Sequence, residues 1–413
     1  MTFTFIDGGI TAPKGFLASG VHCGIKNRKK DLALVYSESE CDAAAFYTTN
    51  KIKAAPLVVT KEHIEKGKIS GIVVNSGLAN ALTGERGLMD AREMASLAGF
   101  ALRCSPEKII VSSTGLIGKY LPMDKIRLGI QMASKSLGST RKHARDAALA
   151  IMTTDTVPKE AAVVTTLSDG TRITIGGMAK GSGMISPELK RWQATTLSFI
   201  TTDASISSVA LESMLESSLD KSINMLNIDG DRSTNDMCAI LANGKAGNRK
   251  VLDVDPGFQS ALTALLQSLT KQLARDGEGA KKLIEVRVIG AKDERDAKIA
   301  AKAVVSSNLV KCAIFGEDPN FGRIITAIGA SGADIVEDKV SLTLASESGS
   351  VDLISNGKLL ALVDDKNYRL ARQLLHNSKI DILVNLNLGN GEATAWGCDM
   401  SYDYVRINAE YTT

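Results

Sequence analysis

The segment Lys180-Gly-Ser-Gly-Met-Ile-Ser-Pro187, followed by Ala194-Thr-Thr-Leu-Ser-Phe-Ile-Thr-Thr-Asp-Ala204, sets a flexible glycine pair before an apolar, threonine-rich stretch. A turn entering a buried strand or helix accounts for that composition. So does a threonine that attacks its own preceding carbonyl, shifts the peptide to an ester and is freed by water as a new N-terminus. A free α-amino group has an ordinary pKa of about 7.7–8, so near neutral pH it can take the threonine proton without a histidine partner. On the residues alone both readings stand.

The usual partners for such chemistry are missing. The four histidines, His22, His63, His143 and His376, lie outside any nucleophile elbow, zinc-binding H-E-x-x-H or phosphate loop, so a histidine triad has no support. The six cysteines, Cys23, Cys41, Cys104, Cys238, Cys312 and Cys398, form no C-x-x-C pair and read as reduced, mostly buried thiols. Asp229-Gly-Asp231 and Ser233-Thr-Asn-Asp236 have the acidic spacing of a calcium loop, but Ile240 stands where the closing glutamate would be. That run predicts a turn network supporting a site, with no metal.

Elements that could position these residues are legible in the apolar pattern. β-Branched runs bounded by turn residues predict strands at Ile69–Val74, Ile109–Ser112, Ala162–Thr166, Ile284–Ile289, Val340–Leu344 and Ile380–Leu386. Phe258, Leu262, Leu265, Leu266, Leu269 and Leu273 recur at spacings of three and four, which predicts a helix ending near Asp276-Gly277. Val209–Met225, Asp124–Leu137 and Lys292–Val305 read the same way. Glycine clusters between these elements are where chemistry is expected.

A chain of 413 residues that is 44% hydrophobic can bury a large core, in two or three domain-sized units. A net charge of +3 gives no field that would favour nucleic acid or an anionic membrane. The N-terminus lacks a basic segment followed by an apolar run, and no stretch approaches the roughly 18 apolar residues of a membrane span. A cytoplasmic protein whose partners are small molecules and copies of itself is expected.

Several motifs then occur in a specific order. They are Gly8-Gly-Ile-Thr-Ala-Pro-Lys-Gly-Phe16, Val74-Asn-Ser-Gly-Leu-Ala-Asn-Ala81, Ser113-Thr-Gly-Leu-Ile-Gly118 with Leu121-Pro-Met-Asp124, and Met152-Thr-Thr-Asp-Thr156. Beyond the threonine-rich segment come Asp229-Gly-Asp-Arg-Ser-Thr-Asn-Asp236, Asp276-Gly-Glu-Gly-Ala280, Asp318-Pro-Asn-Phe-Gly-Arg323, Ala393-Thr-Ala-Trp-Gly-Cys-Asp399 and Tyr404-Val-Arg-Ile-Asn-Ala-Glu-Tyr411. Over its whole length the chain resembles the glutamate N-acetyltransferases, also called ornithine acetyltransferases, of the cyclic arginine pathway. It departs from their pattern in one place, where Glu188-Leu-Lys-Arg-Trp-Gln193 is longer than the family's spacer before the cut. The match from Ala194 to Ala204 is ungapped, which keeps Thr195 as nucleophile, with Thr196 as the alternative.

The resemblance implies an α+β fold, a layered αββα sandwich with a second smaller α/β domain. It also implies self-cleavage between Ala194 and Thr195 into an alpha chain, 1–194, and a beta chain, 195–413. Structurally, a catalytic domain of about 1–280 and a second domain of 281–413 are expected, with a C-terminal strand returning to the active site. Thr114 and Gly115 would stabilise the oxyanion. Thr154, Lys180, Thr195, Glu278, Asn408 and Thr413 would bind substrate, Lys180 taking an α-carboxylate and Glu278 the ornithine amine. Acetyl would pass from N-acetylornithine to glutamate through Thr195 without cofactor or metal, in a heterotetramer of two alpha and two beta chains. Use of acetyl-CoA as a further donor is left open. Two rivals remain: a self-cleaving N-terminal-nucleophile hydrolase or aminopeptidase that passes the acyl group to water, and an uncut binding protein.

Overall fold

A computed structural model describes residues 3–186, 188, 196–363 and 365–410. Two compact units divide the chain. The first comprises Met1–Gly181, Pro187–Ile223 and Arg232–Leu269, and the second Ser182–Ser186, Asn224–Asp231 and Thr270–Thr413. The boundary expected near residue 280 therefore falls about a dozen residues earlier, and two short upstream segments belong to the second unit. Hydrogen bonds explain their allegiance: Ile228 N–H donates to Ile185 O at 2.7 Å, and Ser182 Oγ to Asp276 O at 2.6 Å. Such long-range pairing leaves no trace in local periodicity.

Among the described residues the first unit is built on a nine-stranded sheet. Its strands run in the order Thr4–Ile6, Lys159–Thr166, Arg172–Lys180, Leu197–Thr202, Met237–Ala242, Leu32–Tyr47, Ile69–Leu78 and Ile109–Leu116, with Phe16–Val21 also paired to Leu32–Tyr47. The long Leu32–Tyr47 strand joins two halves. Its register breaks between Tyr36 and Cys41, so its first part pairs with Ile69–Leu78 and its second with Met237–Ala242.

Two neighbouring pairs in this sheet are parallel, Ile69–Leu78 with Ile109–Leu116 and Leu197–Thr202 with Met237–Ala242. Parallel strands need cover on both faces, which their unbroken apolar runs reflect. The helices Ala55–Lys66, Gly84–Leu102 and Met123–Lys135 supply it on one side, packing Val59, Met94, Ala98, Ile126 and Ile130 with Leu34, Val73, Ile109 and Val111. Each of these valine, leucine, isoleucine and methionine side chains contributes about 1.5–3 kcal/mol on burial.

The expected helix Val209–Met225 is shorter than its periodicity suggests, running over Ser208–Leu219 and followed by a 3-10 turn at Ile223–Met225. Ser222 Oγ takes the Ser218 carbonyl that a continuing helix would use. Helix Pro256–Arg275 forms as the leucine spacing requires, and all its periodic apolar residues are buried.

The second unit carries a seven-stranded sheet in the order Lys358–Leu359, Gly349–Ser355, Ser341–Ser346, Lys379–Asn385, Leu283–Ala291, Gly391–Cys398 and Leu226–Asn227. Helix Glu294–Ser306 lies on it through Ala297, Ala301, Val304 and Val305. The mixed α+β class thus holds in both units. The C-terminal strand does not: Tyr402–Glu410 is a helix, opened by Ser401 Oγ accepting from Asp403 N–H and supported by an Arg406–Asp403 ion pair of 2.7 Å one turn apart. All six cysteines are free thiols, four of them buried, with Cys104 half-buried and Cys312 exposed. Among the described residues no helix is long and apolar enough to cross a membrane.

Candidate active site

In the first unit the parallel strands Ile69–Leu78 and Ile109–Leu116 keep register as far as Gly77 and Gly115, and the ladder becomes irregular at Leu78. Gly77 and Gly115 face each other there, with φ of 108° and 128°. A Cβ built on Gly115 would lie 2.2 Å from the Gly77 carbonyl carbon, so only glycine fits. Side-chain amides fix this turn. Ser113 Oγ donates to Asn75 Oδ1 at 2.6 Å, Asn75 Nδ2 to Leu78 O at 2.9 Å, and Asn235 Nδ2 to Ala79 O and Ser113 O at 2.6 and 2.8 Å. Asn235 belongs to the acidic run expected to form a supporting turn network, and it performs that role here.

Lys180 closes the strand Arg172–Lys180, and its Nζ donates to Thr114 Oγ1 at 3.3 Å. Both side chains are buried. A hydroxyl that accepts from an ammonium keeps its own hydrogen to donate and is polarised towards doing so. Behind this pair sits Asp155, fully buried, whose Oδ1 accepts from Lys159 Nζ at 2.5 Å and from Gly181 N–H at 2.7 Å, while Oδ2 accepts from Thr153 N–H at 2.9 Å. Burial opposes charge on Asp155, but the Lys180 and Lys159 cations and these hydrogen bonds outweigh it and hold the carboxyl far below the ordinary aspartate range. Thr154 is half-buried in the same turn.

Ala194, Thr195 and Thr413 lie outside the described residues. Thr196 is described. It is buried, its carbonyl accepts from Met237 N–H at 2.6 Å, and its Oγ1 lies 3.4 Å from Ser198 Oγ. Its φ of 100° is a region that a β-branched residue rarely occupies, so the backbone just past the expected cut is strained.

In the second unit Glu278 and Asn408 come together, Asn408 Nδ2 donating to Glu278 Oε2 at 2.8 Å and to Tyr404 O at 3.0 Å. Gly183 makes room for this carboxylate, since a Cβ there would fall 2.4 Å from the Glu278 carboxyl carbon. Glu278 N–H donates to Ser182 O at 2.9 Å, and Asp229 accepts from the N–H groups of Met184 and Ile185 at 2.6 and 2.8 Å. The Ser182–Ser186 strap is thereby held at both ends. Burial raises the pKa of Asp229 despite those bonds, and burial with the Asp229 and Glu278 charges also raises that of the Tyr404 hydroxyl.

Thr114, Gly115, Lys180 and Thr154 are thus assembled in the first unit, and Glu278 with Asn408 in the second. Asp155 and Lys159 were not assigned a role from the sequence. The one signal for them there is an acid and a base four residues apart beside a threonine pair, which says nothing about burial. What the first unit offers chemically is a polarised hydroxyl beside a glycine turn, next to a buried cation. The second offers an oriented carboxylate able to receive a cationic group.

Comparison with known proteins gives a consistent result. The ArgJ family model matches residues 17–413. The arginine biosynthesis bifunctional protein ArgJ of Caldanaerobacter subterraneus subsp. tengcongensis is 48% identical over 411 residues, 99% of either chain. The glutamate N-acetyltransferase of Methanothermobacter thermautotrophicus is 44% identical over 413 residues, 100% of this chain and 99% of its own. Among solved structures, the ornithine acetyltransferase of Mycobacterium tuberculosis, complexed with ornithine, is 39% identical and covers 46% of this chain and 100% of its own, with a TM-score of 0.43.

Proposed function

The chain belongs to the ArgJ family, and from that premise we propose that it is a cytoplasmic glutamate N-acetyltransferase of arginine biosynthesis, moving acetyl from N-acetylornithine to glutamate. The observation that carries this reading is the Lys180–Thr114 contact beside Gly115. It provides a hydroxyl donor, a backbone turn and a cation at one place, which are the parts an amino-acid acyl transfer needs.

The reaction begins with self-processing. Thr195 Oγ attacks the Ala194 carbonyl carbon, the C–N bond breaks to give an ester, and water releases Thr195 with a free α-amine. That amine then takes the Thr195 hydroxyl proton as Oγ attacks the acetyl carbon of N-acetylornithine. Negative charge develops on the acetyl oxygen, where the Thr114 hydroxyl and Gly115 N–H donate. Such donors are worth about 3–4 kcal/mol each. The ornithine nitrogen leaves with the proton, and the glutamate amine attacks the acetyl ester by the reverse steps.

Lys180 holds the α-carboxylate, Thr154, Asn408 and Thr413 complete substrate contacts, and Glu278 receives the ornithine side-chain amine. The two fragments of each cut chain stay together and pair with a second copy as a heterotetramer. The relatives bear both "bifunctional" and "glutamate N-acetyltransferase" in their names, so acetyl-CoA is the second donor to test.

Intact-mass spectrometry tests the reading. The purified protein should appear as two fragments divided at Ala194–Thr195, and mixing with N-acetylornithine should add one acetyl group to the C-terminal fragment. An uncut chain, or ornithine release at full rate without glutamate, would overturn it.

A further inference from the structure

Lys26 stands outside every motif that assigned a role, yet its surroundings tie it to the transfer site. Its backbone is fixed first. The carboxylate of Asp31, fully buried, accepts N–H groups from Cys23, Gly24, Ile25 and Lys26 at 2.7, 3.1, 2.8 and 3.0 Å. Four successive amides on one carboxylate leave the loop little freedom, so the direction in which the Lys26 side chain departs is set.

Two contacts of that side chain bear on the site. Its stem covers Gly77, where an added Cβ would sit 3.1 Å from Lys26 Cγ and 3.0 Å from Ile25 Cγ2. Gly77 in turn is the residue against which Gly115 is pressed. At its far end Lys26 Nζ donates to Met152 O at 2.9 Å, the carbonyl leading into Thr153, Thr154 and Asp155.

We propose that Lys26 is a positioning residue of the acetyl-transfer site, backing the Gly77–Gly115 approach with its stem and holding the Thr154–Asp155 turn with its ammonium. The inference rests on the function proposed above. It adds a third segment to the site, one that fixes the two turns to which donating and binding are assigned. Misplacement of such groups by an ångström is costly even when every catalytic residue is intact.

The charge on Lys26 contributes as well. The ionisable groups that act on it are Asp31, Lys29, Asp155 and Lys180. Burial, with Lys29 and Lys180 acting in the same direction, lowers its pKa to about 8 against the pull of Asp31 and Asp155. Above that pH the ammonium is lost, and with it part of the hold on the Met152 carbonyl.

The test uses the full self-processed protein with Lys26→Met, which keeps the stem and removes the charge, and Lys26→Gln, which is uncharged but can still donate. Wild type, K26M and K26Q are compared for extent of self-cleavage, melting temperature, kcat and KM for N-acetylornithine with glutamate present, and the pH profile of kcat/KM. K26M is expected to lose about tenfold or more in kcat/KM while melting close to wild type. K26Q should recover part of that loss, and the alkaline fall of the wild-type profile near pH 8 should be absent from both variants. Wild-type kcat/KM in both variants overturns the proposal, as does a loss of activity matched by loss of folded protein in both. An inactive wild type instead overturns the proposed function beneath it.

Discussion

Lys180 and Thr114 lie 66 residues apart in sequence, on different strands, and meet through a 3.3 Å hydrogen bond from ammonium to hydroxyl in a buried setting. Removing the hydroxyl while keeping its shape isolates its part in the reaction. Thr114→Val is expected to lower kcat by about 10²–10³ with little change in KM, as loss of one oxyanion donor does elsewhere. Steady-state kinetics at saturating glutamate measures it, and a KM effect alone would assign Thr114 to ground-state binding.

Gly115→Ala should fail for a different reason. The new methyl would meet the Gly77 carbonyl carbon at 2.2 Å, at a φ of 128° that alanine disfavours. A loss of about 2–4 kcal/mol is expected from strain and displacement of the paired strand. Chemical denaturation would show it as a lower midpoint, and an unchanged midpoint would mean that the two turns separate easily.

Asp155→Asn removes the carboxylate paired with the fully buried Lys159, a change that costs about 3–5 kcal/mol in comparable buried pairs. The pH dependence has a definite sign. Because the folded-state pKa of Asp155 is depressed, its contribution is complete above its unfolded value of about 3.9 and is lost as pH falls through the folded value. Wild type should therefore lose stability on acidification below about pH 4 more steeply than D155N, read from denaturation midpoints across pH 2–7.

Glu278→Gln keeps the size of the side chain and its contact with Asn408 but removes the charge. If the carboxylate receives the ornithine amine, KM for N-acetylornithine should rise about tenfold or more, in line with loss of a charge-assisted bond of about 1.5–3 kcal/mol. KM for glutamate, which has no such amine, should rise less. Equal effects on both substrates would place Glu278 in a structural role.

Gly183→Ala offers an independent check in the same unit. Its methyl would fall 2.4 Å from the Glu278 carboxyl carbon, so the carboxylate must move. The kinetic pattern of G183A should follow that of E278Q, with self-cleavage measured alongside to detect any disturbance of the Ser182–Ser186 strap.

The sequence by itself determined the mixed α+β class, most of the elements, and the family. Apolar periodicity is a local property, and it marked the helix Pro256–Arg275 and the cores of the strands Ile69–Leu78 and Ile109–Leu116. It stopped short at their glycine-containing ends, where side-chain burial no longer sets the pattern and the site is built. Ordered motifs, through the family resemblance, are what proposed Thr114, Gly115, Lys180, Glu278 and Asn408 as site residues.

Only the tertiary structure decided which residues support them. Asp155 with Lys159, Asn235 on the Ser113 carbonyl, and Lys26 on Met152 act through partners from 4 to 126 residues away. Nothing local distinguishes such a lysine from a solvated one. The same reason explains the two misread features, the domain boundary and the C-terminal strand that is a helix, since both are settled by hydrogen bonds. For the boundary these link segments far apart in the chain, and for the helix they are specific cap and turn contacts.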